Sequence, residues 1–78
     1  MSKDPPPAWV LARRLVIGDR VRDARAAAGL TQEELAKRVG IDYKTVHRIE
    51  YATSDPSLTV LLLIAAALGL SLAELVRE

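Results

Sequence analysis

The chain has 78 residues, a net charge of +1, no cysteine and no phenylalanine, and half of its residues are apolar. That is enough for one domain with one modest core of Leu, Val, Ile and Ala, and it excludes a disulfide or a thiol-based metal site. The most apolar window, residues 58–72, is interrupted by Gly69 and Ser71 and falls short of a membrane span. No signal peptide is visible, and a cytoplasmic location is expected.

The first seven residues, MSKDPPP, carry three consecutive prolines, which favour polyproline II and cannot sit inside a helix. The chain divides into a flexible proline-rich arm, residues 1–8, and a helical domain, residues 9–78. Residues 8–28 read as helix, either continuous or kinked at Gly18. Leu11, Leu15, Ile17, Val21, Ala24 and Ala28 give an apolar side. Arg13, Arg14, Arg20, Arg22 and Arg25, with Asp19 and Asp23, give a charged one. Trp9 has two readings, a cover for the bottom of the core and a contact between subunits. Gly29 suits the residue after the helix end, with Leu30 folding back onto the core.

Residues 32–50, QEELAKRVGIDYKTVHRIE, predict two short helices joined by a tight turn. Leu35, Val39, Ile41, Val46 and Ile49 line one side. Ala36 leaves room for a close, steep crossing, and Gly40 ends the first helix in a left-handed conformation. Thr31 with Glu34 is a capping box, and Asp42 suits the N-cap of the second helix. Two helices so joined make a helix-turn-helix, whose second helix enters the DNA major groove. The unit is balanced in charge: Lys37, Arg38, Lys44 and Arg48 oppose Glu33, Glu34, Asp42 and Glu50. Affinity from phosphate neutralisation is therefore limited in one subunit, which favours a second.

Residues 51–56, polar and stopped by Pro56, form a loop. Ser57 caps a helix over 58–68, Gly69 stops it, and Ser71 with Glu74 opens a last short helix through Val76. The expected fold class is all-α: five helices, with the helix-turn-helix at helices 2 and 3.

The order of these pieces resembles the Cro/phage-repressor helix-turn-helix family, often called XRE-like, over roughly residues 17–75. LTQEELA at 30–36, the Arg48-Ile49-Glu50 ending and Ala67-Leu68-Gly69 carry the resemblance. It implies a lambda-repressor-like domain that binds double-stranded DNA and reads a partly palindromic operator as a dimer. Residue by residue, it implies that Gln32 holds a phosphate and buttresses the reading helix. It places Tyr43, Lys44, Thr45, His47 and Arg48 towards DNA, and pairs Arg25 with Glu50 in a buried salt bridge. Two departures stand out. Ala52 replaces the usual glycine of the loop after Glu50, and Thr53, Ser54 and Asp55 bring no basic charge there. The fourth helix is apolar on every side, so a homodimer seam through Val60, Leu63 and Ala67, with Trp9 as a further candidate, is expected. The rival is that the longer first helix covers this surplus within one subunit.

An enzyme is not expected. One histidine, no cysteine, no phosphate loop and no suitably spaced acids leave nothing to converge on a substrate, and neither cofactor nor metal is implied. The alternative function is a helical protein-interaction module, or a DNA-binding antitoxin acting with a partner protein.

Overall fold

A computed structural model describes residues 4–78, so the first three residues of the predicted arm lie outside the described residues. Five helices follow in order: α1 (Ala8–Ala27), α2 (Gln32–Val39), α3 (Tyr43–Glu50), α4 (Leu58–Ala67) and α5 (Leu72–Val76). There is no strand among the described residues. No helix among them is long and apolar enough to cross a membrane.

Local chemistry explains the boundaries. α1 starts after Pro7, whose fixed φ leaves it extended. At α2 the Thr31 hydroxyl accepts from the Glu34 amide at 3.1 Å, and the Glu34 carboxylate accepts from the Thr31 amide at 2.9 Å. The Thr31 amide first, and then the Thr31 hydroxyl, hold the Glu34 carboxyl below its ordinary range. Asp42 caps α3 through the Lys44 amide at 2.7 Å, and Ser57 caps α4 through the Val60 amide at 3.2 Å. At α5 Ser71 accepts from the Glu74 amide, the forward half of the expected box.

α1, α3 and α4 end alike. In each the second residue after the last turn adopts a left-handed φ, and two amides return to the last carbonyls, the Schellman arrangement. That residue is Gly29 after α1 and Gly69 after α4. After α3 it is Ala52, at φ 58°, the sole non-glycine residue with positive φ among the described residues.

The core is a single cluster of Val21, Leu35, Ala36, Val46, Ile49, Ile64, Ala65 and Leu75, with Val39, Ile41, Val60, Ala67, Leu68 and Leu70 packed around it. α2 and α3 contribute through their expected apolar side. On α1 the expected side is corrected. Val21 is buried, but Leu11 and Leu15 are 41% and 51% exposed. Ile17, Val21 and Ala24 of the expected side do face inward, Val10 and Gly18 complete the line, and Ala28 is exposed. Gly18 sets this rotation. The helix is unbroken at that point, and a Cβ there would lie 2.6 Å from the backbone oxygens of both Ile49 and Glu50. Gly18 is the place where α1 and the end of α3 touch backbone to backbone.

The same rotation brings two arginines of the charged side to the end of α5. Arg13 donates to the Val76 and Arg77 carbonyls at 2.7 and 3.0 Å, and Arg20 to the Leu75 carbonyl at 3.0 Å and to that of Arg77. These are the open carbonyls at the end of α5, where cations belong. Trp9 is 68% exposed and does not cover the core.

α4 also requires a correction. Val60 and Ala67, expected on a seam between subunits, pack against the chain's own core, on the line that carries the buried Ile64. Leu63 does face out, and its exposed apolar neighbours are Leu58 and Leu62.

Two substitutions test this packing. Alanine is the better helix former by about 1 kcal/mol, yet Gly18→Ala is expected to destabilise the fold by roughly 1–3 kcal/mol through overpacking. A raised melting temperature would show that α1 and α3 do not approach this closely. Ala52→Gly relieves a left-handed alanine worth about 1–2 kcal/mol, offset by glycine's unfolded-state entropy. A net gain of about 0.5–1 kcal/mol is expected, read as a melting temperature higher by roughly 2–8 °C.

Candidate nucleic-acid interface

α3 is amphipathic in the strict sense. Val46, Ile49 and Glu50 are buried at 0%, 3% and 1% exposure, while Tyr43, Lys44, His47 and Arg48 are exposed. Thr45 is half-buried at the flank. The four exposed positions follow a spacing of one, three and one residues, which places them on one face of a helix. α2 and α1 support that helix from behind.

The fixing point is the carboxylate of Glu50, whose side chain has no exposure at all. Arg25 Nε donates to Oε2 at 2.6 Å, and Arg25 Nη2 donates to Oε1 at 3.0 Å, a two-point contact between α1 and α3. Arg25 Nη1 also donates to the Leu30 carbonyl at 2.9 Å, binding the approach to α2. Gln32 Nε2, from α2, donates to Glu50 Oε1 at 3.1 Å. One buried carboxylate thus holds three helices. Hydrogen bonding to Glu50 is the main reason the Arg25 guanidinium is pushed above its already high ordinary pKa.

Gln32 Nε2 also lies 3.4 Å from His47 Nδ1. The side chain of Gln32 therefore backs α3 from within the fold, and its amide nitrogen is directed at Glu50 and His47.

Sequence reasoning assigned Tyr51 to the loop and Arg22 to the charged side of α1, and overlooked what they build. The Tyr51 ring packs against His47 with centroids 4.7 Å apart and planes 39° apart, and the Arg22 guanidinium sits 5.2 Å from the Tyr51 ring centre. Tyr51 is about half exposed, so this cation and ring extend the face of α3 past its last turn. The signal was available, since Tyr51 continues the four-residue spacing of Tyr43 and His47. After it, the Thr53 amide and hydroxyl both donate to the Arg48 carbonyl, at 2.9 and 3.4 Å.

Residues 21–75 match the helix-turn-helix family. The chain belongs to that family, in its Cro/repressor (XRE) type, a family of DNA-binding transcriptional regulators. An uncharacterized HTH-type transcriptional regulator of Methanothermobacter thermautotrophicus is 47% identical over 49 residues, which cover 63% of this chain and 71% of that protein. The restriction-modification controller protein C.AhdI of Aeromonas hydrophila superposes with a TM-score of 0.79 at 38% identity, over 82% of this chain and 97% of its own. SinR, a master regulator for biofilm formation whose structure is in complex with DNA, superposes with a TM-score of 0.72 at 30% identity, over 76% and 95% of the two chains. The five-helix, lambda-repressor-like fold expected for this chain is the one it has.

Removing the Glu50 carboxylate strands the Arg25 guanidinium, whose side chain is 15% exposed. Glu50→Ala is expected to cost roughly 3–5 kcal/mol, and a thermal melt should fall by about 12 °C or more. A shift below about one degree would mean that the carboxylate does not hold the three helices together.

Proposed function

We propose that this protein is a transcriptional regulator that lays α3 in the DNA major groove and reads a partly palindromic operator as a homodimer. The observation that carries the reading is the split of α3. Its inner face is locked to the core through Val46, Ile49 and Glu50, and its outer face offers Tyr43, Lys44, His47 and Arg48 together.

The chemistry of each side chain suits an edge of a base or a phosphate. Arg48 presents a rigid fork that pairs two-pronged with guanine O6 and N7, and Lys44 donates to the same acceptors. Tyr43 donates a hydroxyl to base or backbone, and Thr45, at the flank, meets a phosphate or a thymine methyl. The Gln32 amide nitrogen donates to Glu50 Oε1 at 3.1 Å and lies 3.4 Å from His47 Nδ1. A phosphate beside α2 is then held by the free backbone amides of its first turn, helped by the helix dipole.

The net charge of +1 leaves little attraction to DNA in one subunit. Two subunits double the phosphate contacts and match the two-fold symmetry of a palindrome. The face left for the partner is the outer side of α4, with Leu58, Leu62 and Leu63 exposed, and Trp9 is a second candidate contact. Activity of this kind belongs in the cytoplasm. The same apolar face supports a second reading, in which it binds a different protein and DNA binding serves a complex, as in an antitoxin.

Selection from random DNA, followed by gel shift at low and moderate salt, tests the proposal. An inverted repeat with half-sites about 10 base pairs apart, centre to centre, is expected. Arg48→Ala should weaken the selected site by about 1–3 kcal/mol and relax one base position if Arg48 reads guanine. Lys44→Ala should weaken binding evenly and lower the salt slope by about 1 if Lys44 meets a phosphate. A clean monomer at micromolar concentration with a one-half-site footprint would reject the homodimer, and no enriched sequence at all would favour the protein-interaction reading.

A further inference from the structure

A carboxylate accepts hydrogen bonds and cannot donate them. The buried carboxylate of Glu50 therefore decides which end of the Gln32 carboxamide faces it: the NH2 end, at 3.1 Å. Turning the amide over would set its oxygen against a carboxylate oxygen, so the flip that is open to most surface glutamines is closed here. The same nitrogen lies 3.4 Å from His47 Nδ1, at the long end of the hydrogen-bond range. An NH2 group has two hydrogens. One serves Glu50, and the other is available to Nδ1 when Nδ1 is the ring's bare, accepting nitrogen. A proton on Nδ1 would oppose donor to donor with no relief from either side. The ring is further confined by Tyr51, which packs against it at 4.7 Å. His47 itself is exposed, and Nε2 has no hydrogen-bond partner among the described residues.

We propose that Glu50 and Gln32 hold His47 as its Nε2–H tautomer, so that the reading helix presents a hydrogen-bond donor, never an acceptor, at this position. The relay runs from a buried carboxylate through a carboxamide to an imidazole, and it rests on α3 being the helix that reads DNA. Gln32 is a positioning residue in this scheme, and His47 is the residue that selects. A donor at Nε2 pairs with guanine O6 or N7, adenine N7 or thymine O4, and is repelled by the amino groups of adenine N6 and cytosine N4. The histidine that looks undecided in the sequence, able to give or take a proton, is thereby made to choose between edges of a base.

His47 is the single histidine in the chain, so the ring signals belong to it alone, and their couplings to the ring protons tell Nδ1 from Nε2. Histidine labelled with nitrogen-15 in the intact protein, observed at about pH 8 where an ordinary imidazole is neutral, should show a protonated Nε2 and a bare Nδ1. Gln32→Ala should drift towards the mixed tautomers of a free imidazole, with its melting temperature followed alongside. On the selected operator, His47→Ala and Gln32→Ala should each relax preference at the same base position, by about tenfold and by about threefold to tenfold, and leave the positions set by Lys44 and Arg48 unchanged. An Nδ1–H ring in the wild-type protein overturns the proposal, as does an unaltered tautomer in Gln32→Ala. Uniform weakening across all positions in Gln32→Ala also overturns it, since support of the fold or contact with phosphate would act that way. If no DNA is selected, it is the regulator reading that falls, while the spectrum of the wild-type ring still decides the relay.

Discussion

A single buried carboxylate governs how this domain presents α3. Glu50 closes α3 and is enclosed on all sides. An enclosed charge is costly unless its lone pairs are met, and here they are met by Arg25 from α1 and Gln32 from α2. The requirement is geometric as well as energetic. A carboxylate has fixed acceptor directions, so satisfying it settles the distance and the rotation of three helices at once. Hydrophobic contacts among Val21, Leu35, Val46 and Ile49 drive those helices together, but greasy contact alone tolerates sliding. The polar contact selects one arrangement from the many that would bury similar area.

Around that point the fold is unusually sparing with side chains. Gly18 lets the backbones of α1 and α3 meet, Ala36 is buried in the core cluster, and the arginines of α1 cap α5 at the far end. A chain of this length cannot bury many large side chains. It compensates with short interhelical distances and with cations placed on open carbonyls. The left-handed alanine after α3 is the one place where the local rule is broken, since the equivalent sites after α1 and α4 hold glycine. That strain sits at the junction between α3 and the loop that follows it, next to the Tyr51 and Arg22 pair.

The apolar surface has two parts that differ in origin. On α4, burial of the line through Val60, Ile64 and Ala67 leaves Leu58, Leu62 and Leu63 outside, because a helix apolar all round cannot bury every side against one neighbour. On α1, Trp9, Leu11 and Leu15 are outside for a different reason. Gly18 and Arg25 must face α3, and their rotation carries the leucines to the back of the helix. A small domain rarely leaves this much apolar surface uncovered unless something binds there.

Much of the architecture is legible in the sequence because it rests on short-range chemistry. Thr31 with Glu34, Asp42 and Ser57 mark helix starts, and Gly29, Gly40 and Gly69 mark ends, each through bonds spanning a few residues. The periodic positions Leu35, Val46 and Ile49 name the inner face of the helix-turn-helix, and by elimination the outer one. What only the tertiary structure decided is rotation and partnership across long separations: which side of α1 turns inward, which leucines of α4 stay outside, and that the amide of Gln32 is shared between Glu50 and His47. Periodicity reports that a helix has a face, but the carboxylate of Glu50 on α3 and the close approach of the two backbones at Gly18 choose where the face of α1 points. Those choices are made by contacts between residues far apart in the chain, and no local pattern encodes their angles.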